Sequence, residues 1–101
     1  MKRRAYKISN QALIDLEQIW LYTFKNWSIE QADRYYNLLI NEMEYVSQNP
    51  DSGKLMDHVK YGFRASKVKS HLIFYKISSE SELEIIRILH ERMDIENRLK
   101  E

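Results

Sequence analysis

In the first half of the chain the apolar positions recur every three or four residues. Leu13, Leu16, Trp20, Thr23, Phe24 and Trp27 follow one another at this spacing, which marks one face of a helix. Ser9 or Asn10 precedes the run and supplies an oxygen for the free N–H groups of a first turn. Asp15 and Glu17 lie off this stripe near the start, where negative charge suits the helix dipole. Ser28 with Gln31 has the form of a capping box, so a second helix begins there. Its stripe is Ala32, Tyr35, Tyr36, Leu39, Ile40, Met43 and Val46, and Pro50 stops it. With almost no chain between them, two such helices pack as an antiparallel hairpin.

The period changes after Asn49 to Gly53, the clearest cluster of breaker residues. Arg64 to Val68 is short and mixed. His71 to Ile77 and Leu83 to Leu89 are rich in β-branched and aromatic residues and read as strands. The polar stretch Ser78 to Ser81 joins them as a turn, so the two strands pair antiparallel. Arg4 to Ile8 is a candidate first strand for the same sheet. The charged tail from Asp94 to Glu101 is expected to form one helical turn or to fray. The pattern predicts strand, helix, helix and three strands. That is a two-layer α+β domain, an antiparallel sheet with an N-terminal helical hairpin packed on one face.

Composition narrows the chemistry. The 101 residues, 44% hydrophobic and 12% aromatic, fit a single domain spanning 1–101 and exclude a disordered chain. No cysteine is present, which removes disulfide frameworks, thiolate metal sites and a cysteine nucleophile. No apolar run reaches the length of a membrane span, and the basic start Met1 to Lys7 lacks the apolar stretch of a signal peptide. The expectation is a cytoplasmic protein with no membrane role.

The formal net charge of +1 conceals an uneven distribution. Six of the 15 acidic residues, Asp15, Glu17, Glu30, Asp33, Glu42 and Glu44, lie on the two predicted helices. Between Lys54 and Lys76, six cations (Lys54, Lys60, Arg64, Lys67, Lys69 and Lys76) face only Asp57. Arg87 and Arg92 follow, and Lys2, Arg3, Arg4 and Lys7 open the chain. This predicts a basic sheet side that favours an anionic partner. The aromatic residues Trp20, Phe24 and Trp27 are expected in the core. Tyr22 and one of Tyr35 and Tyr36 cannot share the buried stripe, and an aromatic left outside with Leu21 and Ile14 would mark a partner patch.

Catalytic patterns are sparse. His58, His71 and His90 lack metal-ligand spacing, although strand neighbours could still bring His71 and His90 close. No serine sits in a glycine-rich elbow and no glycine loop cradles phosphate. Arg64, His71, Arg87, His90 and Arg92 hold the ingredients of acid–base RNA cleavage. The competing reading pairs Arg87 with a carboxylate such as Glu84 or Asp94 and leaves His90 as a satisfied ring at the strand end.

Several fragments in order resemble one family. Tyr6-Lys7-Ile8-Ser9, Ala12, Asp15 to Trp20, Tyr22-Thr23, Trp27, Gln31-Ala32, Tyr35-Tyr36, Asn49-Pro50, Gly53, Gly62-Phe63-Arg64 and His71 to Tyr75 are similar to stretches of the ParE toxins of the RelE/ParE superfamily. The run Ile85 to Asp94 resembles the Leu-His-x-Arg-x-Asp ending typical of ParE sequences. The resemblance implies the same fold, no cofactor and a ParD-like antitoxin from the adjacent gene, with operator DNA reached only through that antitoxin. It implies DNA gyrase as the target, inhibited by binding rather than catalysis. The expected toxicity surface is Arg64, His71, Arg87, His90, Arg92 and Asp94. Leu21, Tyr22, Lys67, Lys69 and Lys76 are the expected antitoxin contacts. The RelE branch, which cleaves ribosome-bound mRNA, is the enzymatic alternative. There an Arg stands on the central strand where this chain has Leu72, and the tail after Arg92 has no Tyr or His. A non-toxic antitoxin-binding module is the remaining alternative.

Overall fold

The computed structural model describes residues 5–79 and 82–100. The expected strand position Arg4, the basic residues Lys2 and Arg3, the turn positions Glu80 and Ser81, and Glu101 lie outside the described residues. The elements are β1 (Ala5–Ile8), α1 (Asn10–Asn26), α2 (Ile29–Gln48), β2 (Lys54–Leu55), β3 (Arg64–Val68), β4 (His71–Ser79), β5 (Glu82–His90) and α3 (Ile95–Lys100). The α+β class and the helical hairpin on one face of a sheet are as the pattern predicts. Ser9 caps α1 by accepting from the Ala12 N–H, and Ser28 caps α2 by accepting from the Gln31 N–H. Asn49 and Pro50 end α2.

The sheet is five-stranded with order β1-β5-β4-β3-β2. It departs from the expectation in direction. β2, β3, β4 and β5 pair antiparallel in sequence, but β1 runs parallel to β5, so the sheet is mixed. The hairpin is the reason: it carries the chain away from the β5 edge and back to the opposite edge. The four-residue β1 covers only Glu82 to Ile85 of its neighbour. Beyond it, the edge of β5 is closed by side chains. Ser9 Oγ donates to the Ile86 carbonyl at 2.7 Å, and Asp15 Oδ2 accepts the Ile88 N–H at 2.9 Å. An open edge would otherwise present those groups unpaired.

Two apolar clusters flank the sheet. The larger one packs Ala12, Leu16, Leu39, Met43 and Val46 of the hairpin against Ile73, Tyr75, Leu83, Ile85 and Ile88. Large side chains buried this way contribute roughly 1.5–3 kcal/mol each. The other face is also covered. Phe63, Ala65, Phe74 and Leu89 meet Leu99 of α3, with Met56, Val59, Leu72, Ile86 and Ile95 around them. The tail therefore forms a packed helix, and the sheet has no bare basic face. A bulge between Phe74 and Tyr75 lets β4 and β5 keep both faces apolar.

Gly53 sits where the chain leaves α2 for the sheet. Its N–H donates to the Tyr75 hydroxyl at 2.9 Å, and that hydroxyl donates to the Pro50 carbonyl at 2.8 Å. A Cβ at Gly53 would run into the Tyr75 ring, so only glycine fits.

The predicted stripe of α1 is rotated in the structure. The line facing the core is Ala12, Leu16 and Ile19. Leu13 and Phe24 are exposed, and Trp27 is 73% exposed. Trp20 stacks on Phe24 at 5.3 Å and donates its indole N–H to Asp33 across the hairpin. Trp20 and Phe24 thus pack on the outer surface, and Trp27 stands free at the hairpin tip. Of Tyr22, Tyr35 and Tyr36, Tyr22 and Tyr36 are left outside, as the crowding argument requires.

Candidate functional site: a cationic groove at the hairpin tip

Strand pairing places His71 directly opposite His90. Their rings meet edge to face, with centroids 5.3 Å apart. The Tyr35 hydroxyl reaches down from α2, lies 2.6 Å from His71 Nδ1 and donates to the Val68 carbonyl at 3.0 Å. A hydroxyl has one proton. With that proton on Val68, the tyrosine oxygen accepts from His71 Nδ1–H, and the His71 lone pair is on Nε2. His90 Nδ1 accepts the Arg92 backbone N–H at 3.1 Å, so a neutral His90 carries its proton on Nε2. The pair displays one acceptor and one donor.

Burial lowers the His71 pKa below the ordinary histidine value, and the neighbouring His90 adds to this. Asp15 and Glu91 act in the opposite direction. Burial raises the Tyr35 hydroxyl, partly offset by the Ser70 backbone N–H.

These rings form the floor of a groove of about 1070 Å³. From α1 come Gln18, Ile19, Tyr22 and Thr23, with Trp27 at the tip. From α2 come Gln31, Arg34, Tyr35 and Leu38. The β3–β4 turn adds Lys69 and Ser70, and the exit of β5 adds Arg92 and Met93. The lining has three permanent cations and no carboxylate. Arg34, Lys69 and Arg92 direct their charged groups to no hydrogen bond or ion pair with the described residues.

The groove gathers His71, His90 and Arg92 from one expected surface and Tyr22 and Lys69 from the other. The remaining expected residues lie elsewhere. Arg87 forms an ion pair with Asp15 at 2.9 Å, the two side chains only 12% and 13% exposed. The carboxylate that holds it comes from α1, and Asp15 serves the sheet edge rather than the helix dipole. Arg64 donates to the carbonyls of Gly53 and Asp51 and braces the turn before β2. Asp94 accepts from Asn97 at the start of α3. Lys67 pairs with Glu91 at 2.8 Å and Lys76 with Glu84 at 4.0 Å. Leu21 is half-buried on α1 outside the lining. Lys67 and Lys76 thus meet acid across the strands, which linear spacing does not show. Sequence reasoning passed over Arg34, Leu38 and Met93; the helical offset from Tyr35 to Leu38 was the available signal. Among the described residues, no three metal-ligating side chains converge and no helix is long and apolar enough to cross a membrane.

A helical hairpin packed on a mixed five-stranded sheet is an α+β fold of RelE/ParE-like type. A solved structure described as the chromosomal ParDE TA system from P. aeruginosa shares it, with a TM-score of 0.76 at 17% identity over 87% of this chain and 96% of that one. The family model for the ParE toxin of type II toxin-antitoxin system, parDE, matches residues 6–95. Toxin ParE1 of Mycobacterium tuberculosis is 33% identical over 94 residues, covering 93% of this chain and 96% of the relative. Toxin ParE1 of Caulobacter vibrioides is 33% identical over 91 residues, covering 90% and 93%. The chain belongs to the ParE toxin family of type II toxin–antitoxin systems.

Proposed function

We propose that this toxin acts in the cytoplasm by binding DNA gyrase rather than by catalysis, and that a ParD-like antitoxin encoded beside it neutralises it. Leu72 carries the binding reading. In the ribonuclease branch an Arg occupies that strand position, whereas here Leu72 packs into the apolar cluster under α3. No charge for a scissile phosphate comes from that position. The groove supports a protein partner, because apolar anchors and unpaired cations occur together there. The proposed contact residues are His71, His90 and Arg92 for toxicity, with Tyr22, Trp27 and Lys69 for the antitoxin. Arg64, Arg87 and Asp94 act by holding the surrounding chain.

The test is a gyrase supercoiling and cleavage assay with the purified chain, with and without antitoxin. Trapped cleavage complexes relieved by antitoxin are expected. Unchanged gyrase activity with a folded toxin would sink this reading. One observation favours a second reading: a donor–acceptor histidine pair beside Arg92 is suited to acid–base chemistry. Cleavage of translated mRNA by the wild-type chain, lost in His71→Gln, would establish it.

A further inference from the structure

Three rings stand in line between the hairpin and the exit of β5, and the line ends at Arg92. The Tyr35 and His71 centroids are 5.4 Å apart, and those of His71 and His90 are 5.3 Å apart. The Tyr35 hydroxyl holds the first joint, 2.6 Å from His71 Nδ1. His90 Nδ1 holds the last, accepting the Arg92 backbone N–H at 3.1 Å. Each ring comes from a different element: Tyr35 from α2, His71 from the start of β4 and His90 from the end of β5.

The same hydroxyl ties down the β3–β4 turn. It donates to the Val68 carbonyl at 3.0 Å and meets the Ser70 backbone N–H. Between these two residues lies Lys69, the only described non-glycine residue with positive φ, at 53°. The left-handed region is unfavourable for a lysine, so contacts from outside the turn hold it there. The turn then holds the next stretch of chain. The Ser70 carbonyl accepts the Glu91 N–H at 2.8 Å, and Lys67 of β3 pairs with the Glu91 carboxylate at 2.8 Å. Glu91 and Arg92 are thus each fixed by a backbone hydrogen bond whose acceptor is braced by Tyr35. The Arg92 side chain makes no hydrogen bond or ion pair with the described residues.

We infer that Tyr35 is a positioning residue of the toxin: its hydroxyl, acting through the His71–His90 column and the β3–β4 turn, fixes the backbone from which Arg92 reaches its target. This rests on the reading of Arg92 as a toxicity contact and adds what aims it. A long cation on a loose strand exit samples many directions, and ordering it on contact weakens binding. A backbone clamped at two successive N–H groups leaves only the side chain to order. The ring of Tyr35 packs against the larger apolar cluster, a task phenylalanine performs equally well. The clamp uses the oxygen.

Tyr35→Phe keeps the ring and removes that oxygen. Survival of cells after induction of the full chain without antitoxin, at matched protein level, reads toxicity. Hydrogen exchange of the purified chain reads the clamp. Tyr35→Phe is expected to raise survival about tenfold and to lower Tm by about 5 °C. Its Glu91 and Arg92 amides are expected to exchange about tenfold faster, beyond any change at Leu39 and Met43 in the core. Arg92→Ala is expected to lower toxicity at least as far, and Tyr35→Phe added to it to lower it no further, because both act through one group. Lys67→Glu tests the clamp from an exposed pair, where folding is not at stake. It is expected to raise survival about threefold, and the swap Lys67→Glu with Glu91→Lys to restore toxicity. The proposal is overturned by a folded Tyr35→Phe chain of full toxicity, or by an Arg92 amide that exchanges as in wild type. Losses that add when Tyr35→Phe and Arg92→Ala are combined overturn it, as does a charge swap that restores nothing. Full toxicity of Arg92→Ala with gyrase still poisoned overturns it and leaves the gyrase reading standing. Coupling of Tyr35 to Arg92 in growth arrest, with gyrase unaffected, removes the gyrase reading alone.

Discussion

Arg87 and Arg92 stand on the same stretch of chain, and the structure uses them in opposite ways. Arg87 is folded inward, with its guanidinium held by both Asp15 oxygens and reaching the Arg98 carbonyl. Arg92 is exposed on the groove rim, with only its backbone N–H engaged, by His90. The first region is closed: charge, edge strand and helix start satisfy one another. The second is open: cations and aromatics converge in a lining that holds no carboxylate, and the neighbouring Glu91 is paired with Lys67. A cation matched inside the fold is committed to stability, and one left unmatched beside apolar surface is available to a partner. Sequence alone presents both as basic residues near the end of a strand.

The sharpest way to break this contrast is at Asp15. Asp15→Ala strips the acceptor from Arg87 and from the Ile88 N–H, and is expected to cost about 3 kcal/mol in urea unfolding. A loss under about 1 kcal/mol would mean the closed region is not the structural one. Gly53→Ala is expected to cost about 2 kcal/mol, because the new Cβ displaces the Tyr75 ring. Trp27→Ala tests the open region. Its stability effect should stay within about 0.5 kcal/mol, while antitoxin affinity falls by about 2 kcal/mol in calorimetry. Lys69→Gly should move stability by less than about 0.5 kcal/mol, since relief of the left-handed backbone and the entropy of glycine offset each other. The smallest effect is on pH. The folded state holds the His71 pKa below its unfolded value, so that contribution is present above the unfolded pKa near ~6.5. It is lost as pH falls from there toward the folded pKa. The urea midpoint of wild type should drop over that range relative to His71→Gln.

The elements legible in the sequence were those fixed by local chemistry. Two serine caps, a proline stop and a helical period define the hairpin, and β-branched runs define β4 and β5. The pairing of the last two strands left room for His71 and His90 to meet, and the register that sets them opposite is seen only in the fold. What escaped depends on distant residues. The direction of β1 is set by the return path of the hairpin, not by Ala5 to Ile8. The two-residue β2 has no period to read. In α1, the buried line runs through Ala12 and Ile19, while the larger Phe24 and Trp27 share a helical spacing that periodicity takes for core. Leu99, in a charged tail, gave no sign of a covering helix. The groove's Arg34 and Met93 come from elements that meet only in the folded chain, so no linear spacing joins them to His71.

Ser9 opens the first helix and at the same time holds the last strand, through a hydrogen bond spanning 77 residues. On a ribosome, the first helix therefore emerges long before the strand that completes its anchor. Contacts of such span form late. Chains released before Ile86 lack that clasp, and those ending before Arg92 also lack the groove. Under the role proposed for the groove, only a finished chain presents the contact surface.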